Sequence, residues 1–139
     1  MRQTRTTLFF TTRGPGMHDI TAAIDRWLQQ ENARLGVLTL FCRHTSASLV
    51  IQENADPDVT RDLTGFLDHL VPERGMGFRH VSEGSDDMPA HVKTALTGVS
   101  LAIPVADGRM TLGTWQGIFL CEHRHHPHQR QIVAHFMGD

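Results

Sequence analysis

Between Gln3 and Thr12 polar and apolar residues alternate closely enough to predict a strand, and Gly14-Pro15-Gly16 ends it. Asp19 then reads as the cap of a helix whose apolar stripe is Ile20, Ala23, Ile24, Trp27 and Leu28, at helical spacing. Residues 36–44 read as a buried strand, on which Leu38, Leu40, Cys42 and His44 share one face. From Thr45 to Ile51 the chain continues extended or turns into a second strand. Asp56-Pro57 opens the next helix, with Asp as cap and Pro at the first helical position. Val59, Leu63, Phe66, Leu67 and Leu70 form its apolar face; Asp58, Asp62 and His69 lie opposite.

Pro72 to Met88 is rich in glycine and acids and predicts a long loop, a kind of segment that often carries function. Asp87 and Pro89 open a short third helix with Val92, Ala95, Leu96 and Val99 facing inward and Gly98 stopping it. Strands follow at 100–106, near 109–113, at 116–123 and at 129–137, with Asp107-Gly108 as a hairpin turn. The sum is one α+β domain over residues 1–139, an antiparallel or mixed sheet with two to three helices packed on it.

Composition narrows the functional classes. A chain of 139 residues buries roughly 70% of its unfolded surface and needs no staple. No apolar run approaches the roughly 20 residues of a membrane helix, and the N-terminus matches neither a signal peptide nor a lipidation motif. A cytoplasmic protein without membrane partners is expected. Cys42 and Cys121 are too few for a Cys-only zinc site, and each sits in an apolar strand pattern that suits a buried thiol. The net charge of -2 leaves no electrostatic footprint for nucleic acid. Histidine is the outlier: ten copies, five of them from His123 onward.

Several histidines stand where chemistry is plausible. His44 ends a core-facing row just before Thr45, Ser46, Ala47 and Ser48, a setting for a metal ligand, an acid/base group or a phosphate donor. His80 follows the loop Gly75-Met76-Gly77-Phe78-Arg79, and His91 lies in the first turn of the third helix, able to reach a site at that helix's N-terminus. The run Glu122-His123-Arg124-His125-His126-Pro127-His128 invites a zinc reading, since alternation puts His123 and His125 on one side. Pro127 ends the strand there, so Glu122 and His123 are better placed than His125, His126 and His128. Neither H-E-x-x-H nor G-x-S-x-G occurs, which excludes the metalloprotease and α/β-hydrolase motifs.

Three longer segments read together resemble a known family. They are His44-Thr45-Ser46-Ala47-Ser48-Leu49 with Gln52-Glu53-Asn54 and Asp56-Pro57; His80 with Glu83-Gly84 and Asp87-Met88-Pro89-Ala90-His91-x-Lys93; and Gly108-Arg109 with Leu112-Gly113-Thr114-Trp115-Gln116-Gly117, Glu122-x-Arg124 and Pro127-His128-x-Arg130. In this order and spacing they resemble the YjbQ-like family, often labelled secondary thiamine-phosphate synthase.

The resemblance implies an α+β fold, a homotrimer with sites near subunit boundaries, and a secondary thiamine-phosphate synthase activity. That reaction joins hydroxymethylpyrimidine diphosphate to thiazole phosphate and releases pyrophosphate. Carried onto these residues, it makes Lys93, Arg109 and Arg124 candidates for the phosphates, with Ser46 and Ser48 as further donors. Mg²⁺ would ride on the diphosphate, with Asp62 or Glu83 as its carboxylate. His44, His80 and His91 would serve the leaving group or bind a metal directly; Trp115 and Gln116 would stack on and read a heterocycle. Two other readings use the same residues: a His/carboxylate site, zinc for example, hydrolysing a phosphorylated metabolite, and a non-catalytic trimeric binder of small anions.

Overall fold

A computed structural model describes all residues, 1–139. Eight strands and three helices follow in the order β1 (Arg2–Thr12), β2 (Gly16–Asp19), α1 (Thr21–Gln30), β3 (Gly36–Cys42), β4 (Ala47–Glu53), α2 (Pro57–Leu70), α3 (Asp87–Thr97), β5 (Ser100–Ala106), β6 (Arg109–Met110), β7 (Gln116–Glu122) and β8 (His128–Gly138). They form a five-stranded sheet in the order β1-β8-β3-β5-β6 and a three-stranded sheet in the order β2-β7-β4. Every strand pair is antiparallel.

The core lies between the two sheets. Leu38, Leu40, Cys42, Ile103, Val105, Ile132, Ala134 and Phe136 of the larger sheet meet Ala47, Leu49, Ile118 and Leu120 of the smaller one. The alternation expected for residues 36–44 holds as far as Cys42, where β3 ends, so that Leu38, Leu40 and Cys42 point to the partner sheet while His44 lies beyond the strand. Helix α1 closes one end of this core with Ile20, Ile24, Trp27 and Leu28. Asp19 acts just outside the helix, where its Oδ1 accepts both the N–H and the hydroxyl of Thr21. Gly36 sits against Gly138 at the edge of the core: a Cβ there would stand 2.2 Å from the Met137 carbonyl oxygen. Gly36→Ala is therefore expected to cost about 1–3 kcal/mol, read from urea unfolding. A neutral result would mean that strands β3 and β8 can part without cost.

Helices α2 and α3 cover the outer face of the smaller sheet, α2 against β2 and β4 and α3 against β4. The Asp56 side chain accepts the Asp58 N–H at 2.9 Å and Pro57 opens α2, as the sequence predicts. Its apolar face is less covered than the spacing suggests. Val59, Leu63 and Leu67 are half-buried, while Phe66 and Leu70 are exposed, because the three-stranded sheet is too narrow to cover the whole stripe.

Helix α3 departs further from expectation. Ala95 and Leu96 are exposed, and Val92 and Val99 are only half-buried; the buried face carries Asp87, Pro89, Ala90, Lys93 and Thr94. The polar side turns inward because its groups find partners there: Asp87 in histidines and Arg124, Lys93 in Asp68, and Thr97 in Ser48. Two smaller differences concern strands. β2 has only four residues, too few to show alternation, and β6 is shorter than the expected 109–113. The Asp107-Gly108 turn between β5 and β6 is as read, with φ of +52° and +77°.

Candidate functional site

The N-terminus of α3 gathers one carboxylate and two imidazoles. Asp87 opens the helix and His91 follows at i+4, one turn along the same face. His80 reaches across from the loop. Asp87 Oδ2 stands 2.6 Å from His80 Nε2 and 3.0 Å from His91 Nε2. These three groups offer ligand atoms all within 4.8 Å of one another. Asp87 is only 4% exposed, whereas His80 remains open to solvent.

Hydrogen bonding sets the state of His91. Its Nδ1 lies 2.8 Å from the Thr45 carbonyl oxygen, which can only accept, so Nδ1 carries a proton. In the neutral ring Nε2 then bears a lone pair, and that lone pair faces a carboxylate oxygen. Two acceptors at 3.0 Å repel unless a proton or a cation lies between them. Ligands at right angles, each about 2.1 Å from an ion, stand about 3 Å apart, as His91 Nε2 and Asp87 Oδ2 do; His80 and Asp87, at 2.6 Å, are directly hydrogen-bonded and would move apart to admit a cation. A carbonyl that fixes the far nitrogen of a histidine is the usual outer support of a metal ligand.

A second layer holds the carboxylate in place. Arg124 donates from Nη1 to Asp87 Oδ1 at 2.6 Å, from Nε to Asp86 Oδ2 at 2.9 Å and from Nη2 to the Glu83 carbonyl oxygen at 3.1 Å. Burial alone would raise the Asp87 pKa, but the His80 hydrogen bond and the neighbouring Arg124 charge are among the causes that bring it below the ordinary carboxylate value. Glu122 in turn positions Arg124. Its Oε2 accepts the main-chain N–H groups of His123 and Arg124, and Arg130 clamps the carboxylate from Nε at 2.8 Å and Nη2 at 2.5 Å.

His44 belongs to a neighbouring place. It lies beyond the end of β3, where its Nε2 accepts the Gln131 main-chain N–H at 2.7 Å. Burial, with the Arg130 charge beside it, pushes its pKa below the ordinary histidine value. His44 offers no atom to the group that could hold a metal ion, in which Asp87 stands with His80 and His91. His44 and His91 do line one cleft of about 710 Å³, with Thr45, Met88, Thr94, Ala95 and Val99.

The remaining expected residues divide. Ser46 lies beside Arg130, whose Nη2 donates to its Oγ at 3.0 Å. Ser48 is fully buried, 2.9 Å from His123 Nε2 and 2.6 Å from Thr97 Oγ1. Lys93 points to the α2 side of α3, paired with Asp68 at 2.5 Å. Arg124 supports Asp86 and Asp87, and Glu83 contributes its carbonyl oxygen to Arg124. Trp115 and Gln116 lie at the Glu53 end of β4, about 20 Å from the Ala47 end that adjoins the site. Arg109 sits on edge strand β6 and Asp62 on the exposed side of α2. Within one chain, then, Arg109, Asp62, Trp115 and Gln116 are not brought to the cluster.

The histidine-rich turn separates as well. His123 is buried, whereas His125 bonds Glu73 at the surface and Glu122 is committed to Arg130, so Glu122, His123 and His125 form no common ligand set. Cys42 and Cys121 are buried free thiols, as expected, and burial pushes both up to about 11.

Burial, with the Lys93 charge nearby, pushes the His123 pKa down from 6.5 to about 4. Protons therefore prefer the unfolded chain over that interval. Stability falls as pH drops below 6.5, and this loss levels off below about 4. At about pH 5 the expected loss is about 2 kcal/mol, seen by urea unfolding, and it should be absent in His123→Asn. An unchanged pH dependence in that variant would assign the effect elsewhere.

Comparison with known proteins agrees with this architecture. The family model described as "UPF0047 protein YjbQ-like" matches residues 6–139. A UPF0047 protein of Synechocystis sp. is 51% identical over 138 residues, covering 99% of this chain and 94% of the relative. The UPF0047 protein YjbQ of Escherichia coli O157:H7 is 42% identical over 134 residues, 96% of each chain. Among solved structures, a conserved hypothetical protein of Thermus thermophilus superposes with a TM-score of 0.85 at 36% identity, covering 95% of this chain and 99% of that one. Sequence likeness over nearly the full length and a shared fold thus agree, and the chain belongs to the YjbQ-like UPF0047 family.

Proposed function

We propose that the chain is a metal-dependent enzyme of phosphorylated small molecules, with His80, Asp87 and His91 holding a divalent cation. The observation that carries this is the convergence of His80, Asp87 and His91 ligand atoms within 4.8 Å, with His91 Nδ1 held by the Thr45 carbonyl so that Nε2 faces the Asp87 carboxylate, an arrangement that a cation, like a proton, reconciles. A cation bound there supplies Lewis acidity toward phosphate oxygens and acidifies water. The chain's own contribution is positional: Thr45 fixes the His91 tautomer, Arg124 holds Asp87, and the cleft beside His91 receives the substrate.

The reaction favoured by the resemblance is thiamine-phosphate synthesis, in which the C–O bond to the diphosphate breaks, pyrophosphate leaves and the thiazole nitrogen bonds to the pyrimidine methylene. Mg²⁺ would enter with the diphosphate. A second reading, hydrolysis of a phosphorylated metabolite, is favoured by the donor set: two imidazoles and a carboxylate suit zinc or manganese better than magnesium. If neither reaction occurs, the same groups serve a non-catalytic anion binder.

A mass-spectrometric assay separates these readings. Chelator-treated protein receives both thiamine precursors with Mg²⁺, Mn²⁺ or Zn²⁺, beside His80→Ala and His91→Ala. Thiamine phosphate formed only by wild type supports the synthase. Release of inorganic phosphate without coupling supports the hydrolase. No turnover with any ion contradicts the synthase and removes these precursors as substrates of a hydrolase.

The active assembly in this reading is a homotrimer. Its support is an apolar outer face on the larger sheet, where Val37, Phe41 and Met137 are exposed. Light scattering on the eluting protein tests it, and a monomeric mass contradicts it. No helix is long and apolar enough to cross a membrane. The cytoplasm is the proposed compartment, where the two thiols stay reduced.

A further inference from the structure

The geometry points to an oxyanion subsite formed by His44 Nδ1 and Arg130 Nη1, next to the cation ligands but separate from them. The argument begins with the Gln131 main-chain N–H, which donates to His44 Nε2 at 2.7 Å. A main-chain N–H can only donate, so Nε2 carries no proton and Nδ1 of the neutral ring does. Arg130 Nη1 stands 3.4 Å from that Nδ1, and a guanidinium has no acceptor. Two donors thus face each other with nothing between them to receive their protons.

The other N–H groups of Arg130 are occupied: Nε by Glu122, and Nη2 by Glu122 and by the Ser46 carbonyl and hydroxyl. Arg130 is 4% exposed, and its Nη1 meets no acceptor other than the His44 ring, which leaves a donor free toward the cleft. Both groups line a cleft of about 560 Å³ together with Phe41, Arg43, Ser46 and Val99, and no Asp or Glu side chain lines it. One oxygen of a phosphate or carboxylate group placed there would accept from both donors, with the Arg43 charge nearby.

This cleft shares His44, Thr45 and Val99 with the largely apolar one that ends at His91. The occupant is therefore a small molecule with an oxyanion at one end and an apolar or ring-shaped body along Val99, Ala95 and Met88. Its reactive end lies toward His91, and that last point alone rests on the proposed cation site. The oxyanion subsite itself stands on His44 and Arg130.

The test uses the full chain, free of metal, with its histidine rings labelled with nitrogen-15. NMR is expected to show His44 as the Nδ1–H tautomer, with a saturable shift of that nitrogen on adding inorganic phosphate or succinate. Whichever saturates at the lower concentration identifies the phosphate or the carboxylate as the natural group. The response is expected to persist in His80→Ala, so failure of the cation site would leave it intact. His44→Leu is expected to weaken binding of the preferred anion at least tenfold by calorimetry. An Nε2–H tautomer, no saturable shift with either anion, or unchanged affinity in His44→Leu would overturn the subsite. The tautomer is read on the wild-type chain, so the test holds even if the variant does not fold.

Discussion

Asp87→Asn is expected to lower affinity for a divalent cation by at least about a hundredfold while leaving the chain folded. The substitution keeps the size of the side chain but removes the negative charge that two imidazoles share. Arg124 retains Asp86 and the Glu83 carbonyl oxygen, so the turn that carries it stays in place. Any turnover that depends on the cation should fall with the affinity. Calorimetric titration of chelator-treated protein with Zn²⁺ and Mn²⁺ measures the effect, and circular dichroism checks the fold. Equal affinity in wild type and variant would remove Asp87 from the ligand set.

The largest stability effect is expected at Glu122. Replacing it with alanine leaves the Arg130 guanidinium buried with no counter-charge, a change that costs about 3–5 kcal/mol. The main-chain N–H groups of His123 and Arg124 and the Thr12 hydroxyl lose their acceptor as well. The melting temperature should fall by about 10–15 °C. A fall equivalent to less than about 1 kcal/mol would mean that the pair is not structural.

The pH dependence in wild type follows from the same contacts. Burial raises the Glu122 pKa, but the Arg130 and Thr12 hydrogen bonds and the Arg124 main-chain N–H outweigh it, so the folded value lies below 4.5. A depressed folded pKa gives stability that is present above the unfolded value and lost as pH falls through the folded one. Acid unfolding below the ordinary carboxylate range is therefore expected, and Glu122→Gln should lack that phase.

Much of the fold was legible in the sequence because burial and periodicity agreed there. Leu38, Leu40 and Cys42 alternate on β3 and all three reach the core; Ile24, Trp27 and Leu28 do so at helical spacing on α1. Helix α3 departs from its sequence pattern for a physical reason. Its apolar residues imply an inward face of Val92, Ala95 and Leu96, yet polar groups with partners from other elements took that place. Asp68, Arg124 and Ser48 are 25 to 49 residues away in sequence, and no local pattern encodes them.

The candidate site shows the same limit. His80 and His91 stand out as histidines, and the third group that converges with them is Asp87, which the sequence presents as a helix opener. The Asp87–His91 spacing of i+4 on a helix was the available signal. Nothing local distinguishes Arg130 from other strand arginines. Its role appears only when β8 lies beside the chain that follows β3.

An anomalous difference map from crystals of the wild-type protein loaded with Mn²⁺ or Zn²⁺ tests the central claim most directly. The expected result is one strong peak about 2.1 Å from His80 Nε2, His91 Nε2 and Asp87 Oδ2. A peak at the turn of His125, His126 and His128 instead, or none at the N-terminus of α3, would contradict a metal-dependent role for this cluster.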